Sequence, residues 1–130
     1  MRILDAAILL MACVALNPEI VSGNTEQGKT LRGWLSDEQC ARGRAKGGVY
    51  TGTNPDCAKQ CVAKGAKIVL VMPDEKQILN VANQAAAENN IGDYVEVNGK
   101  IDREAGTLRI ESLKLITEGR AMCALPKPKK

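Results

Sequence analysis

Hydrophobic and polar positions change their period several times along the chain, and each change marks an element. Met1-Arg2 opens a run from Ile3 to Leu16 that is apolar except for Asp5. A short positive start, an apolar stretch and small residues after it describe an export signal. The run is too short for a membrane span, which takes about 20 apolar residues. Val21-Ser22-Gly23 predicts cleavage after Gly23, so residues 1–23 read as a signal peptide. Processing as a lipoprotein at Cys13 is the rival reading, because Leu10-Met11-Ala12-Cys13 loosely matches a lipobox.

Past the signal, Asn24 to Lys29 is polar and reads as a flexible lead-in to a single domain over residues 30–118. Thr30 to Leu35 alternates loosely and predicts a first strand, with Gly33 marking a bend or a close backbone approach. Arg42 to Gly52 has no apolar period and reads as a glycine-rich basic loop. Asn54-Pro55-Asp56 starts a helix: Asn caps, Pro suits the first helical position, and Asp suits the positive end of the dipole. That helix runs to about Lys64, where Gly65 supplies a left-handed terminus.

Lys67 to Met72 is an apolar, β-branched run stopped by Pro73-Asp74, which predicts a buried strand, and Lys76 to Ala82 reads as its hairpin partner. Asn83 to Asn90, with three consecutive alanines, predicts a short helix closed by Gly92. Tyr94 to Ile101 alternates cleanly, with Val95, Val97 and Ile101 on one face. Thr107 to Ile116 supplies the last strand; Leu108 and Ile110 point inward, then the phase slips near Ser112 so that Leu113 and Leu115 carry the apolar face, which predicts a bulge. Residues 119–130 form a basic, Pro- and Lys-rich tail. The expected fold is α+β, mainly β with two short helices. One helix sits between strands 1 and 2, the other between strands 3 and 4. That is the order of a five-stranded OB-fold-like barrel.

The pattern of motifs resembles a group of small exported bacterial proteins of uncharacterised function. It is carried by Trp34-Leu35-Ser36-Asp37 leading to Cys40, by Cys57 and Cys61 running into Gly65-Ala66-Lys67, by Asn83-Gln84, and by Gly92, Val95, Val97 and Gly99. The likeness spans about residues 31–116 and implies an OB-fold-like domain and an exported location, with no activity attached. Members often carry a histidine after the first cysteine; here Arg42-Gly43-Arg44-Ala45-Lys46 occupies that stretch.

Cysteine is the residue type with most chemistry to offer. Cys13 leaves with the signal, and an even set remains: Cys40, Cys57, Cys61 and Cys123. In an exported chain these predict disulfides, whose pairing the sequence leaves open. Cys57 and Cys61 lie four apart, so both leave one face of the predicted helix. A bridge between them would constrain little; in the disulfide reading Cys40 pairs with one of them and Cys123 can take the other. The alternative is a thiolate site for copper or zinc using Cys40, Cys57, Cys61 and Cys123. Redox catalysis is disfavoured, because its motif places two residues, not three, between the cysteines.

Composition removes other classes. The chain has no histidine, and so lacks the commonest general base and metal ligand. No phosphate loop or nucleophile elbow is present. Asp37-Glu38 and Asp102/Glu104 read as solvated turn residues rather than a catalytic carboxylate pair. Trp34, Tyr50 and Tyr94 are the only aromatics, too few for a nucleic-acid stacking platform. No enzyme activity, cofactor or nucleic-acid partner is expected.

Charge then suggests the partner. Residues 29–67 carry eight basic and three acidic groups, whereas residues 74–118 carry five basic and nine acidic. The basic segment holds the insert between the first two strands. A ligand rim is therefore expected along Trp34, Arg42, Arg44, Lys46 and Tyr50, for an anionic envelope glycan, a lipid headgroup or an acidic protein surface. The expected function is that of an exported, disulfide-stabilised binding or structural domain.

Overall fold

The computed structural model describes residues 25–119. The expected signal peptide, Cys13, Cys123 and the tail beyond Gly119 lie outside the described residues. The order is β1 (Thr25–Asp37), α1 (Glu38–Lys46), α2 (Pro55–Ala63), β2 (Ile68–Met72), β3 (Gln77–Val81), β4 (Tyr94–Asp102) and β5 (Thr107–Thr117). Two single turns of 3₁₀ helix, Gln84–Ala86 and Glu88–Asn90, join β3 to β4. Among these residues no helix is long and apolar enough to cross a membrane.

The five strands pair in a closed ring, β1-β2-β3-β5-β4. Every seam is antiparallel except β3 with β5, which is parallel and only two residue pairs long. Inward-facing Leu35, Leu70, Val95, Val97, Ile101 and Leu108 fill the ring and are fully buried or nearly so. All five residues of β2 are buried, because the outer face of this strand is covered too. There Val69 and Val71 pack with Ala41 of α1, and Trp34, Tyr50 and Ile78 close the edge of this second, smaller core. Gly33 lies where β1 meets β2: a Cβ built on it would stand 2.4 Å from the Val71 carbonyl oxygen. The expected close approach is real.

Most strands and α2 fall where the pattern places them. Asn54 accepts from the Asp56 N–H at 2.9 Å to cap α2, and Gly65 follows it at φ 107°. The bulge in β5 falls at Glu111, since Asn98 faces Ser112 while Gly99 faces Ile110.

Four expectations need correction. The lead-in is part of β1 from Thr25 onward, paired with β4. The first half of the expected basic loop belongs to α1, so the insert between β1 and β2 holds two helices rather than one. This helix escapes a search for apolar period because it buries only Ala41; its cap and its first-turn Glu38 and last-turn Arg44 and Lys46 mark it instead. The expected helix over Asn83 to Asn90 is two 3₁₀ turns. Its side chains explain why: Asn83 and Gln84 are used as substitutes for strand backbone. Asn83 accepts from the Ile110 N–H and donates to its carbonyl, both at 2.8 Å. Gln84 accepts from the Ile68 N–H at 2.7 Å and donates to the carbonyls of Ile68 and Val81. Finally, Leu115 is 42% exposed, and of the two leucines after the bulge only Leu113 packs against the core.

Candidate functional site

The end of β1 and the start of α1 build the first site. Asp37 caps α1, its Oδ2 accepting from the Cys40 N–H at 2.9 Å, which points the first turn of the helix back over the strand end. The residue is fully buried, and its Oδ1 is buried with no hydrogen-bond partner. The expectation that Asp37 is a solvated turn residue is thus overturned. Asp102, by contrast, does serve a turn, accepting from the Ala105 N–H at 3.0 Å.

Cys61, in the last turn of α2, comes to the same place. A carboxylate oxygen of Asp37 and the sulfurs of Cys40 and Cys61 all lie within 4.8 Å of one another. Cys40, Cys57 and Cys61 carry free thiols, and Cys57, one turn back along α2, is exposed. The structure therefore separates the two helical cysteines: Cys61 faces Cys40 and Asp37, whereas Cys57 stands at the surface. Burial pushes the Cys40 thiol up to about 11, helped by the negative charge and hydrogen bond of Asp37 and by Cys61. A thiol so placed stays protonated and unreactive until something replaces its proton. Cys40 and Cys57 both line a surface cavity of about 400 Å³, with Gly43, Arg44, Thr53 and Asn54.

The second site lies on the other side of α1. A cleft of about 510 Å³ runs between this helix and the β2–β3 turn, lined by Arg42, Ala45, Lys46, Tyr50, Lys76, Gln77 and Ile78. It holds three cationic side chains and no carboxylate. Arg42 is fixed there by donating to the Asn80 Oδ1 at 2.8 Å, with Glu38 at a looser 3.8 Å. Lys76 sits at φ 50° in the turn after Pro73, a conformation uncommon for a residue with a side chain.

Of the expected rim residues, Arg42, Lys46 and Tyr50 meet in this cleft. Trp34 lies beneath them: its ring packs over Gly52, whose Cβ would stand 2.7 Å from the indole, and tilts against Tyr94 with centroids 5.0 Å apart. Arg44 turns away, donating from Nη1 to the Gly52 carbonyl. Trp34 and Arg44 thus support the insert rather than line the cleft. Sequence reasoning missed Lys76 and Ile78, which arrive from the distant β2–β3 turn and the start of β3, and Asp37, whose cap position before Glu38 was the available signal. Compared with family models, with curated proteins and with solved structures, the chain shows no match.

Proposed function

We propose that the chain is an exported, non-catalytic binding domain of OB-fold type that takes an anionic glycan in the cleft under α1. The strand order and the parallel β3–β5 seam support the fold assignment. The apolar run from Ile3 to Leu16 supports export. The observation that carries the binding reading is the cleft itself, where Arg42, Lys46 and Lys76 surround an apolar floor edged by Tyr50 and Ile78. Cations answer carboxylates or sulfates, while a tyrosine ring and aliphatic surface suit the flat face of a sugar ring. A glycan meets both demands along its length; a lipid headgroup or an acidic protein surface meets chiefly the first.

The test is a calorimetric titration of the protein with hexagalacturonate and, as the neutral control, maltohexaose. Binding of the acidic sugar alone is expected, weakened at least about tenfold by Lys46→Glu with Lys76→Glu, a loss of about 1.4 kcal/mol or more. Equal binding of both sugars, no binding of either, or an unaffected double variant would overturn the reading.

A further inference from the structure

The buried carboxylate of Asp37 poses a problem that the anion-binding cleft does not address. Oδ2 has its partner in the Cys40 N–H; Oδ1 has none, and no solvent reaches it. An acceptor stranded in this way loses its water without a replacement, so a native protein rarely leaves one unanswered. The atoms nearest to a solution are the two sulfurs that share its neighbourhood. A disulfide between Cys40 and Cys61 would join those sulfurs but leave Oδ1 as it is. A cation placed among the three would answer all of them at once.

We propose that Asp37, Cys40 and Cys61 form a binding site for one zinc(II) ion. The ligand atoms lie within 4.8 Å of one another, and an inward movement of up to about 1 Å brings them to the roughly 3.8 Å that two sulfur ligands of one tetrahedral zinc ion span. The donor set selects the metal. Two thiolates favour a soft or borderline ion, and the carboxylate oxygen disfavours copper(I), leaving zinc(II) as the borderline ion that accepts both. Binding displaces the thiol protons: the two S–H groups become zinc–sulfur bonds and two protons pass to solvent. The complete site carries one net negative charge, from Asp37, two thiolates and the dication. Arg44, which lines the cavity beside Cys40, is then a favourable neighbour. Three protein ligands leave the fourth position for water on the cavity side, as in zinc sites that remain open.

Two elements are tied by this ion. Asp37 and Cys40 belong to the junction of β1 and α1, and Cys61 to the end of α2. The insert covers β2 through small contacts, so a metal crosslink at its centre would hold both helices against the ring.

The experiment uses the processed protein recovered from its export compartment in buffer without chelator. The expected result is one zinc per chain by elemental analysis, lost to chelator and restored by zinc(II) alone. Cobalt(II) substitution should give the near-ultraviolet charge-transfer band of thiolate ligation. Cys40→Ser, Cys61→Ser and Asp37→Asn should each weaken zinc by more than the about 10–100-fold typical of losing an outer-shell partner. Asn caps a helix as well as Asp, so the last variant keeps its fold, as circular dichroism would check. Cys57→Ser should retain the metal. A Cys40–Cys61 disulfide in place of zinc, or metal lost in Cys57→Ser and kept in Asp37→Asn, would overturn the assignment.

Discussion

Asp37 shows how one side chain can take two duties from one position. As a cap it satisfies a helix N–H, and beside Cys40 it adds to the burial that raises that thiol. The consequence for Cys40 is measurable in metal-free, reduced protein. Its thiol ionises at about 11 in the fold against 9.0 otherwise. As pH rises from the lower value, the unfolded chain gives up the proton while the folded chain retains it, so stability is full below this window and falls across it. Denaturation midpoints should drop over that window more in wild type than in Cys40→Ser; parallel behaviour would refute the claim. In the same protein, iodoacetamide should modify exposed Cys57 first and Cys40 last, as peptide mapping would show.

At the scale of elements, the weakest join is β3 with β5. Only Asn80–Thr107 and Val81–Leu108 pair there, and parallel pairing is slightly less stable per residue. The side chain of Asn83 extends this join along β5 at Ile110, while that of Gln84 closes the end of the neighbouring β2–β3 seam at Ile68 and Val81. Replacing either by alanine strands a backbone N–H and a carbonyl and should cost about 1–3 kcal/mol. Urea unfolding measures this directly. A change below about 0.5 kcal/mol, the level of an ordinary surface substitution, would show that the seam closes without them. Surface ion pairs such as Arg32–Glu96, at 2.8 Å but with an exposed arginine, carry no comparable expectation.

For the molecule as a whole, the placement of charge matters more than its sum. The net formal charge is only +3, yet the insert and the β2–β3 turn collect Arg42, Lys46 and Lys76 in one cleft without an opposing carboxylate in its lining. Affinity for hexagalacturonate should therefore fall as salt rises, because exposed charges are screened over about 8 Å at physiological ionic strength. Salt-independent binding would mean that the apolar floor, not the cations, holds the ligand.

Much of the ring was legible from local pattern. β2 reads as a buried strand because its five residues are all apolar, and β4 because its inward positions alternate; both periods are set by the backbone and do not wait for a partner. The N-cap and proline of α2 and the glycine after it are equally local. The elements that escaped are those whose identity comes from distant partners. Helix α1 has almost no apolar face, and it shows itself through Asp37 and through packing on Val69 and Val71. The segment after β3 reads as helix from its alanines, but Asn83 and Gln84 gain more by satisfying strand ends than by joining a helix of two turns. The cysteines were visible as a set; which of them meet was not. Three residues of helix separate Cys57 from Cys61, and the sequence alone shows them on one face. Only the packing of α2 against the end of β1 turns one, half-buried, toward Asp37 and leaves the other in solvent. Chain-local physics determined the strands, the turns and the supply of chemistry. Tertiary structure decided which carboxylate loses its water and which sulfurs lie beside it, because desolvation is a property of the packed surroundings.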